Sequence, residues 1–121
     1  MILPISDFTK EVMKYIQRIP KGKVATYKQI AALSGKPQGS RGVAWILHSC
    51  STKYKLPWHR VLNAQGKISF PVKSSNYKKQ KMKLEKEGIV FSGENQLSLL
   101  KYQWKKRPVP RKKRNDPSMF S

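Results

Sequence analysis

The chain is 121 residues long, enough for one small domain with a modest core, and its single cysteine, Cys50, excludes an intramolecular disulfide and suits a reducing compartment. Lys and Arg number 26 against 6 Asp and Glu, a net +20; seven of the basic and one of the acidic residues fall in 105–121, so residues 1–104 still carry +14. That surplus points to a polyanionic partner, nucleic acid first. No apolar run approaches the ~18 residues of a membrane span, the first five residues are too short and uncharged for a signal peptide, and His48 and His59 stand far apart with no Cys pair near them, so neither a membrane, a metal nor another cofactor is expected.

Asp7 to Ile19 is predicted as the first helix: Phe8, Val12, Ile16 and Ile19 recur at helical spacing while Lys10, Glu11, Lys14 and Arg18 take the other face. Ser6 or Asp7 can cap it, and Pro20-Lys21-Gly22 stops it. Thr26 is the N-cap expected for a short helix over 27–33, with Gly35 at the usual place for a helix end. After the turn Lys36-Pro37-Gln38-Gly39, Ser40 is the cap expected for a further helix from Arg41 to His48. Helix, glycine-containing turn and helix is the layout of a helix-turn-helix, and on a strongly basic domain it is a DNA-binding signal.

Pro57 biases Leu56 toward extended backbone, so 56–61 is expected as a short extended segment or a turn into the site. Asn63 to Phe70 carries a polar turn with glycine followed by alternation, the chemistry of a hairpin and the place for the small wing of a winged helix. Residues 71–77 are expected as loop, 78–87 as a basic amphipathic helix closed by Gly88, and 96–104 as a return to the core through Leu97, Leu99, Leu100, Tyr102 and Trp104. Two basic clusters around prolines then make a tail with too little apolar content to fold alone.

The segment Pro57-Trp58-His59-Arg60-Val61-Leu62 decides the functional reading. With Ile19-Pro20-Lys21-Gly22-Lys23-Val24-Ala25-Thr26-Tyr27, Ile30-Ala31, Gly35, Ser40-Arg41-Gly42-Val43 and Glu87-Gly88, in that order, it resembles the O6-alkylguanine-DNA alkyltransferases over residues 19–88. Those enzymes carry Pro-Cys-His-Arg-Val where this chain has Pro-Trp-His-Arg-Val, and their Cys thiolate takes the alkyl group from the base. A thiolate can attack carbon; an indole offers only an N–H donor. The chain therefore resembles the alkyltransferase-like group, in which binding persists without transfer.

The resemblance implies an α+β fold, a small winged helix-turn-helix DNA-binding domain over 1–104 like the C-terminal domain of the alkyltransferases, followed by the basic tail 105–121. It implies that the recognition helix enters the minor groove with Ser40, Arg41 and Gly42, and that Arg41 fills the stack where the damaged nucleotide has rotated out, as a flat cation can. It gives Tyr27 a part in rotating that nucleotide, Trp58 the floor of the lesion pocket, and the backbone carbonyls of Trp58 and Val61 the exocyclic amine of guanine. His59, Arg60 and Glu87 are expected to survive as a structural remnant of an active site that no longer has a thiol to activate.

Three departures modify the transfer. Cys50 stands where the family has an Asn; the loop around Pro71, Val72 and Lys73 is two residues longer and lacks the family's Tyr-Ser pair, so Lys73 is the candidate for a positive charge at the lesion; and Trp45 replaces a small residue one turn beyond Arg41 on the same face. The expected function is that of a monomeric, non-enzymatic sensor that binds O6-alkylguanine in double-stranded DNA, flips the base and flags it for nucleotide excision repair proteins, in the nucleus if the cell is eukaryotic and otherwise in the cytoplasm or on the nucleoid. Two alternatives stay open: an alkyl-transfer enzyme that uses Cys50, and a general architectural winged-helix binder indifferent to damage.

Overall fold

A computed structural model describes residues 7–107. Four helices carry a little under half of the described residues: α1 (Asp7–Arg18), α2 (Tyr27–Leu33), α3 (Ser40–Tyr54) and α4 (Ser75–Lys86), with a short α5 (Leu99–Tyr102) near the end. Two strands, β1 (Ala25–Thr26) and β2 (Val61–Leu62), pair in parallel with Ala25 opposite Val61 and Thr26 opposite Leu62. The fold is thus α+β, and rich in helix.

The strand pair separates two cores. Ala25 and Val61 face the first, formed with Val12, Ile16, Ile30, Val43 and Ile46 of α1–α3. Their chain neighbours Val24 and Leu62 face the second, with Tyr77, Leu84, Ile89, Leu97 and Tyr102; side chains alternate across a strand, so two residues suffice to serve both. Fully burying each aliphatic side chain stabilises by roughly 1.5–3 kcal/mol.

The helix boundaries follow local chemistry. Thr26 Oγ1 accepts from Gln29 N (3.0 Å) and Gln29 Oε1 from Thr26 N (3.4 Å), a reciprocal cap on α2. At its other end Gly35, with φ 93°, lets Gly35 N donate to Ala32 O and Lys36 N to Ala31 O, closing the helix by the Schellman pattern. The pattern repeats at Gly88 (φ 95°), where Gly88 N reaches Glu85 O and Ile89 N reaches Leu84 O, leaving Glu87 as the cap residue of α4.

Several sequence expectations are corrected. Ser40 is the first residue of α3 and not its cap; Gly39 holds that place without a side-chain bond, and the helix runs on to Tyr54 before Lys55 turns left-handed. Helix α4 starts at Ser75, because Ser74 Oγ accepts from Tyr77 N (3.1 Å) while Ser74 closes a turn onto Pro71 O. No strand ladder forms over 63–70. Asn63 N still donates across the turn to Lys67 O (3.1 Å), but Asn63 Oδ1 takes the amides of Gln65 and Lys67, and the Asn95 side chain takes both the N–H and the C=O of Ile68, so side chains occupy the groups that would extend the hairpin. The return of 96–104 buries Leu97 and Tyr102 but leaves Leu100 87% exposed. It runs beside β1, with Val24 N donating to Tyr102 O and Trp104 N to Val24 O. Gln29 Nε2 holds Trp104 O and Lys106 O, so ordered structure reaches past Trp104. Ser6 and residues 108–121, which include most of the basic tail, lie outside the described residues.

Candidate functional site

The segment 56–62 is shaped by its own sequence. Proline fixes φ, and Pro57 (φ −76°, ψ 66°) forms an inverse γ-turn in which Trp58 N donates to Leu56 O (2.8 Å). A single 3-10 turn over Trp58–Arg60 follows. With three residues per turn, successive side chains leave in three directions, which separates the tasks of Trp58, His59 and Arg60.

Behind the turn, His59, Arg60 and Glu87 form one buried cluster. Glu87 Oε2 accepts from His59 Nε2 (2.8 Å) and from an Arg60 terminal nitrogen (2.7 Å), Oε1 accepts from Arg60 Nε (3.0 Å), and Gly22 N reaches Oε1 at 3.3 Å. Another Arg60 nitrogen donates to Ile19 O (2.9 Å), tying the end of α1 to the same knot. Burial opposes the Glu87 charge, but the bonds from Arg60, His59 and Gly22 prevail and hold its carboxyl down at about 2. Burial also pushes His59 below the ordinary histidine value, against the pull of Glu87. A neutral ring facing a carboxylate must carry its proton on Nε2. The cluster therefore joins α1, the 58–60 turn and α4 electrostatically.

In front of the turn lies a cavity of about 480 Å³. Its walls are Tyr27 from α2, Ala44, Leu47, His48, Ser51 and Thr52 from α3, Trp58 and Val61, Ser69 and Phe70, and Asn76, Lys79 and Gln80 from α4. The Trp58 and Phe70 rings meet edge to face with centroids 6.1 Å apart, the geometry aromatic quadrupoles favour. Gln80, 2% exposed, donates from Nε2 to both His59 O and Val61 O (3.1 Å each), fixing the backbone beneath the cavity. Trp58 O accepts from Val61 N. Each of the two carbonyls expected to read guanine already holds one bond and keeps a second lone pair.

The structure thus brings Tyr27, Trp58 and Val61 to one cavity. Arg41 is exposed on the first turn of α3, next to Ser40 and Gly42, outside the walls. Gly42 has a packing reason of its own: a Cβ there would stand 3.1 Å from the Phe8 ring of α1. Trp45 turns outward, 68% exposed. Lys73 is exposed in the turn that Ser74 closes and does not reach the cavity wall; Lys79 is the lysine that does. Asn76, Lys79 and Gln80 do not stand out in the sequence while α4 is taken to begin at Lys78, and their i, i+3, i+4 spacing emerges only once Ser74 is the cap. Cys50 is half-buried against the helical core and forms no part of the wall. A larger cavity of about 560 Å³ lies at the C-terminal segment between Gln29 and Arg107 and holds none of the expected residues. Among the described residues no three His, Cys, Asp or Glu side chains gather as metal ligands, and no helix is long and apolar enough to cross a membrane.

Known proteins resemble this chain in sequence and in fold. Residues 7–89 match the profile of the 6-O-methylguanine DNA methyltransferase DNA-binding domain. The chain is 43% identical over 100 residues to a DNA base-flipping protein of Vibrio parahaemolyticus, covering 83% of this chain and 98% of that one. It is 36% identical over 105 residues to alkyltransferase-like protein 1 of Schizosaccharomyces pombe, covering 84% and 97%. The crystal structure of S. pombe Atl1 with damaged DNA containing O6-carboxymethylguanine superposes with a TM-score of 0.75 at 35% identity, over 86% of this chain and 100% of that one. With both the sequence profile and the fold in agreement over most of its length, the chain belongs to the family of the 6-O-methylguanine DNA methyltransferase DNA-binding domain.

Proposed function

We propose that this protein is a non-enzymatic sensor of O6-alkylguanine in duplex DNA, which docks α3 in the minor groove, rotates the damaged nucleotide into the 480 Å³ cavity and leaves the lesion intact. The observation that carries the reading is Trp58 on the cavity wall with the His59–Glu87 pair behind it; the resemblance of Pro57-Trp58-His59-Arg60-Val61 to the family's Pro-Cys-His-Arg-Val supports reading Trp58 as the replacement of the reactive Cys. Among the described residues no thiol lines the cavity, since Cys50 packs elsewhere. The DNA-bound state of the S. pombe relative, crystallised on an O6-alkylated guanine, supports the same ligand class here.

The energetics suit recognition. Rotating a base out of the stack costs a few kcal/mol, less where damage has weakened pairing. The Trp58–Phe70 edge offers apolar surface to the adduct, and each buried CH₂ contributes about 0.8 kcal/mol, so ethyl and larger groups gain over methyl until the cavity is filled. Because nothing removes the alkyl group, the complex serves as a flag, and recruitment of nucleotide excision repair is the consequence we assign to it. Competition between an O6-methylguanine duplex and its undamaged parent tests the reading: the damaged duplex should win clearly, and equal affinity would leave only a general winged-helix binder.

A further inference from the structure

Helix α3 exposes one stripe at helical spacing: Arg41, Ala44, Trp45, His48 and Thr52. Ala44, His48 and Thr52 line the cavity, whereas Arg41 and Trp45 continue the stripe beyond its wall. Trp45 is the outlier on this surface. It is 68% exposed, on a helix whose other large apolar residues are buried (Val43, Ile46) or partly buried against the helical core (Leu47, Tyr54). Neither core cluster includes it. A bulky indole standing out beside cationic Arg41, on a face continuous with the cavity, matches a partner that is both anionic and stacked. Duplex DNA offers both.

We propose that Trp45 is an apolar wedge that enters the minor groove and unstacks a base step near the rotated nucleotide. The proposal rests on the sensor reading above, and it adds a second point of DNA deformation to the one made by Arg41. Four helical residues separate Arg41 and Trp45, a rise of about 6 Å, and base pairs are spaced about 3.4 Å apart. The wedge therefore falls about two base steps from the site that Arg41 fills. Apolar side chains inserted between base steps kink the duplex and expose more of it to protein contact, and an indole can also stack on the bases it parts.

The test uses the full chain and O6-methylguanine duplexes carrying 2-aminopurine, which brightens when unstacked. One duplex places the reporter two steps to the 5′ side of the lesion, one two steps to the 3′ side, and one at the target pair, opposite the lesion, where rotation of the damaged base removes its partner. The proposal expects one of the flanking reporters to brighten with the wild type. Trp45→Ala should abolish that signal and weaken binding to damaged and undamaged duplex alike, by about 5- to 150-fold, the range for loss of one aromatic–base stack; Trp45→Phe should keep part of both. Flanking reporters that stay dark, or that brighten equally with Trp45→Ala, overturn the wedge. The target reporter separates the two claims: if it brightens while the flanks stay dark, only the wedge fails, and if it too stays dark, the sensor reading fails with it. Because Trp45 is exposed and outside both cores, its removal leaves the fold intact to be measured.

Discussion

Among single residues, His59, Arg60 and Glu87 tie the end of α1, the 58–60 turn and the end of α4 into one knot. Glu87 accepts bonds from two side chains and a backbone amide, so removing it would strand a buried guanidinium, and an unpaired buried charge costs about 3–5 kcal/mol. The pH dependence follows from the two shifts. Both folded-state values lie below those of the unfolded chain, so the unfolded chain binds more protons as pH falls. The contribution of His59 is full above about 6.5 and is lost below it; that of Glu87 is full above 4.5 and is lost as pH falls toward about 2. Urea unfolding at pH 5 and pH 3 should show the wild type losing roughly 1–2 kcal/mol from Glu87 alone. Glu87→Gln, which cannot titrate, should start less stable and lose correspondingly less over that window.

At the scale of elements, α3 divides its surface between a buried face, a cavity wall and an exposed stripe, and Arg41 belongs to the last. Arg41→Ala should weaken binding to damaged and normal duplex and reduce the brightening of a reporter base at the target. Loss of a phosphate interaction alone would lower the salt slope by about 0.9 and leave that brightening unchanged, in which case Arg41 only holds the backbone. Much of this architecture is legible in the sequence: Thr26 and Gly35 bound α2 because a capping side chain and a left-handed glycine act locally, and Val12, Ile16 and Ile19 declare their buried face by spacing. The loss of the expected hairpin is not legible. Asn63 satisfies the amides of Gln65 and Lys67 locally, but Asn95 reaches Ile68 across 27 residues, and alternation alone cannot announce a partner so distant. Lys79 is hidden for a related reason, since its place on the cavity wall depends on where Ser74 starts α4. The central cavity residues Tyr27, Trp58 and Val61 are named by motif resemblance; composition and periodicity would have assigned all three to the core.

At the scale of the whole molecule, a net charge of +20 supplies affinity without selectivity. The described fold reaches Arg107, with Lys106 O held by Gln29, and residues 108–121 add Arg111, Lys112, Lys113 and Arg114. Deleting 108–121 should weaken binding to damaged and undamaged duplex by a similar factor and flatten the salt dependence by about 0.9 for each phosphate no longer neutralised. The preference for the lesion should survive, because its determinants sit around the cavity; loss of that preference would move specificity into the tail. Binding without chemistry separates a sensor from an alkyl-transfer enzyme, and intact-mass analysis of the protein after prolonged incubation with O6-methylguanine duplex decides between them. The expected result is an unchanged protein mass and full recovery of O6-methylguanine from the DNA. A gain of one methyl group on the protein, mapped to Cys50 and matched by loss of the lesion, would contradict it.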